Sequence, residues 1–558
     1  MLLMHRSWTV RKPLHPRRTA ETGRRTSLRV KCTTSPTPPS AAPHEGASPD
    51  AATDPTAPSA IPAASAAATV ASPPSIADLD ARRFKLHPSC SRWLHQPYRL
   101  TTAVSNHQDG PRMPGPSLSD AVRQVVPPNP LAEPRRAAHW WYHLGRQVFF
   151  LTQSFGGFAA HHVSEMAGAA SRGGGGGGGG GGARAGAARR PTPLERLLED
   201  AEPEVASRLI DGQAMVEQDY DNIRAGYYPM PWDMVTPGHR QYNPLFALRG
   251  SLGFLREWTA ITQRRISGQP EPLWISGSAI YPQYYTKTYH YQTDGWMSER
   301  SAALYEFATE TLFTGLQDAM QRTSLLPLTE YLREAELGGR SVSELRLLEV
   351  AAGTGRFHTF IKDAHPALPT VVSDLSPFYL ARARSNMRYW AEMRQSGRQL
   401  GGVDGAGVQQ YLQTAAERIN AQDDSFDILV CVYLFHELPE PVRRAAAAEF
   451  FRVLRPGGLA IITDSVQTGD RPGLEGAMDV FGDFNEPYYR RVRVVVYVWG
   501  VWAALPTLQV VTVGCRPTWK CRNYLYSDLG AMFEAAGFKC DTKYLCGVTK
   551  TLSFRKPL

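Results

Sequence analysis

LRLLEVAAGTGRFHTFIKDAHPALPTVVSD, residues Leu345–Asp374, is the stretch that decides the fold. Its apolar opening, Leu345–Val350, reads as a buried strand, and Ala351-Ala352-Gly353-Thr354-Gly355 as a small-residue turn. Phe357, Phe360 and Ile361 then recur at helical spacing, and Val371-Val372 form a second strand that ends on Asp374. This strand–turn–helix–strand order is one unit of a doubly wound α/β sheet. Glycine in the turn lets the backbone approach a ligand at the helix N-terminus. An acid closing the second strand stands where ribose hydroxyls are held.

Later pieces follow in order. Ser425–Cys431 reads as a fourth strand and runs into Phe435-His436-Glu437-Leu438-Pro439. A helix over Arg443–Leu454 ends at Arg455-Pro456-Gly457-Gly458, and Leu459–Thr463 is a fifth strand ending on Asp464. Near the C-terminus, Tyr526–Ala536 reads as a helix stopped by Gly537. Lys539–Leu545 and Thr549–Arg555 read as an antiparallel strand pair. Together these pieces resemble a class I S-adenosylmethionine-dependent methyltransferase, of the small-molecule branch that includes quinone-ring C-methyltransferases. The likeness covers Leu345–Asp464 and the end of the chain. It implies an α/β fold: a Rossmann-like, doubly wound, seven-stranded sheet with a terminal antiparallel hairpin, preceded by a mostly helical N-terminal region.

The resemblance also implies a site, with S-adenosyl-L-methionine as cofactor and a small-molecule methyl acceptor as partner. Gly353, Thr354 and Gly355 would pass under the cofactor's methionine and ribose parts. Glu349, ending the first strand, would fix the turn and reach the methionine ammonium through water. Asp374, with Leu375 beside it, would accept from both ribose hydroxyls. Ala416 and Glu417 would lie beside adenine, and Tyr433 would meet the cofactor after the fourth strand. Two positions depart from the family pattern: Ala351 replaces the first turn glycine, and Ala415 stands where an acid often accepts the adenine amine. On the acceptor side His436 is a candidate general base for a hydroxyl or an activated ring carbon, and His290 is a second. The other reading of Phe435–Pro439 is a plain helix start.

Composition bounds the partners. The chain has 558 residues and a net charge of +9. Residues 1–43 hold nine Lys/Arg against the single acid Glu21, so the rest of the chain is nearly neutral and gives no footprint for nucleic acid. That acid-poor, Arg/Ser/Thr-rich segment looks like an organelle transit peptide. Leu28-Arg29-Val30-Lys31-Cys32 resembles a plastid processing site, which favours the chloroplast, stromal or membrane-associated, over the mitochondrion. A basic, anion-binding arm is the other reading. Seven cysteines without a C-x-x-C pair read as reduced thiols.

Taken in order, residues 44–84 read as a disordered Pro/Ala/Ser linker and 85–172 as a partly helical region. In it His139 and His143 sit four apart, but two histidines complete no metal site, and no metal is expected. Ala138–Ala159 is apolar enough to touch a membrane, yet Arg146, Gln147 and Gln153 make it a poor span. Membrane contact is allowed but not required. Residues 173–192 are a glycine-rich tether. Residues 193–335 read as helical, with helices over Leu194–Ile210, Leu245–Ile266 and Ser301–Met320 and an aromatic lid from Tyr281 to Trp296. The lid either lines the acceptor pocket, where aromatic faces suit a sulfonium, or simply covers it.

Residues 336–558 form the expected methyltransferase domain. Phe481–Tyr489 reads as a loop returning over the site. The uncharged run Val494–Gly514 interrupts the pattern, and 491–521 reads as an insertion. Two rivals stand beside this reading. A non-catalytic S-adenosylmethionine-binding scaffold would keep the Gly353–Gly355 turn and Asp374. An NAD(P)-dependent oxidoreductase would need a third small residue where His358 stands. The oligomeric state is not legible.

Overall fold

The computed structural model describes residues 74–96, 117–172, 193–394, 401–474 and 524–558, less positions 268, 276 and 404, together with Tyr488 and the pairs 495–496 and 511–512. The chain divides into two units, Met1–Ala71 and Ser72–Leu558. The first, with the expected transit peptide, lies outside the described residues, as do the glycine run, the loop Phe481–Tyr489 except Tyr488, and most of 491–521.

The second unit opens with α1 (Ile76–Arg83), β1 (Lys85–Leu86), α2 (Pro88–Leu94) and α3 (Leu118–Gln124). The linker read over 44–84 therefore gives way to a helix. Ser75 starts it with a capping box, its hydroxyl taking the Asp78 N–H while Asp78 takes the Ser75 N–H. Tertiary contact holds it: buried Asp80 accepts from Lys543 and Lys550 at 2.9 Å each. β1 consequently reaches the terminal hairpin, and the sheet has eight strands rather than seven.

Six helices follow: α4 (Pro134–Arg172), α5 (Pro193–Arg224), α6 (Pro244–Ser267), α7 (Glu299–Leu312), α8 (Gln317–Arg322) and α9 (Leu325–Leu337). The single helix expected over Ser301–Met320 breaks between α7 and α8, where Thr314 and Gly315 have φ of 50° and 78°. Among the described residues no helix is long and apolar enough to cross a membrane. In α4 the inward face is interrupted by buried His139, His143, Gln147 and Gln153.

The sheet-forming part then runs β2 (Leu347–Val350), α10 (Arg356–Ala364), β3 (Thr370–Asp374), α11 (Pro377–Arg394), β4 (Val408–Gln413), β5 (Phe426–Val432), α12 (Glu440–Val453) and β6 (Leu454–Ser465). Within the stretch read as an insertion, β7 (Val495–Val496) and β8 (Val511–Thr512) pair as a separate antiparallel ladder. α13 (Leu529–Ala535), β9 (Lys539–Cys546) and β10 (Thr549–Arg555) close the chain.

The order across the sheet is β1-β9-β10-β6-β5-β2-β3-β4. β10 is antiparallel to β6 and β9, and the other neighbours are parallel. β2 and β5 are buried on both faces and accordingly read as mostly apolar runs, broken only by Glu349 and Asp427. One core cluster packs Phe450 and Phe533 of α12 and α13 on the sheet, and the other packs Phe360 and Trp390 of α10 and α11. Each such side chain contributes about 1.5–3 kcal/mol by burial. The chain steps from β2 outward to β4, then returns to β5 on the other side. That reversal leaves a crevice beyond the C-terminal ends of β2 and β5, where open α/β sheets hold ligands.

Candidate active site

β2 delivers the turn into this crevice. Ala351, Gly353 and Gly355 have φ of 55°, 56° and 69°. Glycine occupies that left-handed region freely, whereas Ala351 carries a cost on the order of 1 kcal/mol. At Gly355 a Cβ would stand 2.9 Å from the Ala383 Cβ, so glycine is what allows α10 and α11 to pack. At Gly353 a Cβ would meet only Tyr379, at 4.0 Å. The backbone there faces open space, as close approach by a ligand requires.

Asp374 ends β3 beside that space. Its Oδ2 accepts the Gly353 N–H at 2.9 Å and its Oδ1 the Ser376 N–H at 2.8 Å. Burial raises its carboxyl to about 6 in spite of these amides. A half-buried carboxylate served only by backbone donors retains acceptor capacity, and a pair of ribose hydroxyls would fill it.

Two cavities meet at the turn. The larger, of about 320 Å³, has Asp374, Leu375, Thr414, Ala415 and Ala416 at one end and His436 and Glu437 at the other. Phe254, Trp258 and Ile261 of α6 and Leu304 and Ala308 of α7 wall it, with Tyr285, Tyr289, His290 and Trp296 from the lid. The smaller, of about 130 Å³, is lined by Glu349, Thr354, Arg146, Glu310, Asp318 and Arg356. Ala351, Gly353, Tyr305 and Tyr433 line both.

The sequence-derived residues thus fall into three groups. Gly353, Asp374, Leu375, Ala416, Tyr433, His290 and His436 surround the larger cavity. Glu349 and Thr354 face the smaller one. Glu349 also holds His358 Nδ1 at 2.6 Å, while His358 Nε2 lies 2.8 Å from Thr370 Oγ1, which locks strand to helix. Gly355 lines neither cavity. Glu417 is engaged by the Tyr284 hydroxyl, 2.8 Å from each carboxylate oxygen, and Thr414 and Ala415 line the space beside Ala416.

Beside His436, four groups form a row. Asp464, at the end of β6, lies 2.7 Å from His436 Nδ1. His436 Nε2 stands 3.6 Å from Glu437 Oε1, which His290 Nε2 reaches at 3.1 Å. Glu437 Oε2 meets no donor among the described residues. Tyr433, just past β5, has φ of 56°, an uncommon conformation for an aromatic residue and one that concentrates at ligand sites. Its N–H donates to the Thr463 carbonyl and its hydroxyl meets Thr549 Oγ1, both at 2.7 Å.

Lid rings complete the enclosure. Tyr281 stacks on Tyr285 at 5.7 Å, Trp296 lies 4.8 Å from Tyr289, and Tyr488 lies 6.4 Å from Tyr289. The α6 wall escaped the sequence reading, although Phe254, Trp258 and Ile261 at spacings of four and three were a usable signal. Asp464 read only as a strand end. Its place at the C-terminal edge of the sheet was the clue to more.

Away from the crevice, His139, His143 and Asp219 bring their ligand atoms within 4.8 Å of one another. Asp219 is already held there by Arg322, at 3.0 and 2.7 Å, and by His139 at 2.8 Å. With the guanidinium neutralising the only carboxylate, a divalent ion would add uncompensated buried charge.

Residues 347–458 match the family described as a methyltransferase domain, and this part of the chain is a class I S-adenosylmethionine-dependent methyltransferase domain. A malonyl-[acyl-carrier protein] O-methyltransferase of Paenibacillus sp. (strain JDR-2) is 29% identical over 146 residues, 26% of this chain. The chain spans 47% of that curated relative's length. Among solved structures, a methyltransferase from Methanosarcina mazei is 14% identical over 38% of this chain and 93% of its own, with a TM-score of 0.26. The CurJ carbon methyltransferase is 10% identical over 64% and 84%, with a TM-score of 0.34.

Proposed function

We propose that the chain transfers a methyl group from S-adenosylmethionine to a small, lipophilic, aromatic acceptor bearing an acidic hydroxyl or an activated ring carbon. One observation carries this reading: a single apolar cavity joins the Gly353–Asp374 cofactor corner to the His436–Asp464 pair. The bound cofactor supplies an electrophilic methyl group on its sulfonium. Asp374 would hold its ribose, and Leu375 with Thr414–Ala416 would flank the adenine. With Asp464 taking the Nδ1 proton of His436, Nε2 would be the ring nitrogen that acts as base. Nε2 would take the acceptor's proton as its oxygen or carbon attacks. Glu437, ordered by His290, would take a hydrogen bond from the acceptor's hydroxyl. The rings of Tyr285, Tyr289 and Trp296 exclude water and orient a planar acceptor.

The relative's printed name describes a malonyl carrier-protein acceptor. A carboxylate of that kind calls for a cation in the pocket, and Arg300 at the cavity wall is paired with Glu257 at 3.1 Å. The apolar lining therefore favours a phenol or hydroquinone. The basic, acid-poor residues 1–43 support a plastid destination as part of the same proposal. Transfer of labelled methyl to a panel of hydroquinones tests the reading, with malonyl carrier protein as the counter-substrate. Turnover on hydroquinones that His436→Ala abolishes is the expected result. Turnover on malonyl carrier protein alone would overturn the acceptor class.

A further inference from the structure

The smaller cavity lies across the turn from the acceptor, and its far wall comes from helices outside the matched domain. Its charges do not balance. Asp233, Glu310 and Asp318 share two guanidinium groups. Arg356 lies 2.5 Å from Asp233 and 2.7 Å from Asp318. Arg146 lies 2.9 Å from Glu310 and 3.3 Å from Asp318. Three carboxylates meet two guanidinium cations, a shortfall that a proton on Glu310 makes up. Glu306, farther along α7, is served separately by Arg240 and Asn386. His239 adds no charge, since burial and Arg356 lower it to about 3.

Acceptors are also in excess. Gln321 Oε1 is buried, lines this cavity and meets no donor among the described residues, beside the Glu310 carboxyl that shares its proton with Asp318. Leaving such atoms unpaired is costly, so a donor that arrives with the ligand is the economical explanation. If Asp374 holds the ribose and Leu375 the adenine, both in the larger cavity, the rest of the cofactor runs past Gly353 into the smaller one. That end carries an α-ammonium with three N–H donors and an α-carboxylate, for which the lining guanidinium groups of Arg146 and Arg356 would be the partners.

Resting on the cofactor reading above, we propose that Glu310, with Gln321, is the seat of the α-ammonium of S-adenosylmethionine, contributed by the N-terminal helices rather than by the methyltransferase domain. Burial, and then repulsion from Asp318, raise the empty-site carboxyl of Glu310 to about 8. Glu310 therefore holds a proton at neutral pH. The arriving ammonium replaces that proton, which leaves to solvent, and the net positive charge of the cofactor balances the carboxylate so formed.

The test is calorimetry on the full chain with three ligands: S-adenosylmethionine, S-adenosylhomocysteine and 5′-methylthioadenosine, which lacks the amino-acid end. Glu310→Gln should weaken the first two by about tenfold or more, the scale of a lost charge-assisted hydrogen bond, and leave the third unchanged. Wild-type protein titrated near neutral pH in buffers of different ionisation enthalpy should release about one proton with S-adenosylmethionine and none with 5′-methylthioadenosine. Equal weakening of all three ligands, no weakening of any, or no ligand-specific proton release would overturn the assignment. Failure of the wild type to bind all three would instead overturn the cofactor reading beneath it.

Discussion

The two cavities that meet at Gly353 are built from opposite materials. The larger is walled by Phe254, Trp258, Leu304, Tyr289 and Trp296, with few ionisable groups in its lining. The smaller is lined by charged and polar side chains held in one another's grip. The difference follows from the chemistry proposed for each side. An acceptor that must lose a proton and attack carbon is served by a dry, shaped pocket in which a few polar groups act strongly. The charged tail of a cofactor needs fixed partners, because a buried charge is tolerable only when paired. One glycine turn separates the two environments.

Breaking the acceptor side should give the largest effect. His436→Ala should lower kcat by about 10²–10⁴, the range of general-base catalysis, while cofactor affinity stays unchanged. Single-turnover assays beside calorimetry check this, and a parallel loss of affinity would erase the division between the cavities. Away from both cavities, Arg322→Ala should cost about 3–5 kcal/mol of stability in urea unfolding, because it strands the buried Asp219 carboxylate. Burial raises the Asp219 carboxyl, but Arg322 and the two histidines outweigh it and hold it well below its ordinary value. That stabilising share is present above the unfolded pKa and is lost as pH falls through the folded one.

Asp374 sharpens the comparison by pH. Its folded carboxyl, at about 6, exceeds its ordinary 3.8. The folded state therefore keeps a proton that the unfolded chain has lost, and its stability contribution falls as pH rises from about 3.8 to 6. Ribose hydroxyls donate to the ionised form, so affinity for S-adenosylmethionine should rise as pH passes up through about 6, by at most about tenfold per unit. Asp374→Asn should flatten that profile. The smallest effect is expected at the turn: Ala351→Gly relieves a left-handed alanine but loosens the unfolded chain, leaving a change within about 1 kcal/mol.

The sheet half was legible because its parallel strands are buried on both faces and punctuated by glycine. Leu345–Val350 and Ser425–Cys431 overlap β2 and β5, and Leu459–Thr463 lies within β6, so sequence alone located these strands to within two residues at their starts except for β6, which begins earlier, at Leu454. β4 was missed because Val408-Gln-Gln-Tyr-Leu-Gln413 is an edge strand with exposed glutamines and little apolar run. The proposed cofactor corner at Gly353 and Asp374 follows from local order along the chain. The charged cluster does not, since Arg146, Asp233, Glu310, Asp318 and Arg356 converge from four helices and a loop with no fixed spacing. α1 was hidden for a similar reason: its anchor, Asp80, finds its lysines more than 460 residues away. Glu417 read as an adenine neighbour because sequence shows position, while its partner Tyr284 comes from the lid.

The central claim is that Gly353 and Asp374 form the S-adenosylmethionine corner. Calorimetric titration of the full chain and its Asp374→Ala variant with S-adenosylmethionine tests it most directly. Saturable binding that the variant weakens by about 1.5–3 kcal/mol, the scale of hydrogen bonds to a charged group, is the predicted result. No binding by the folded wild type, or binding that Asp374→Ala leaves undiminished, would contradict it.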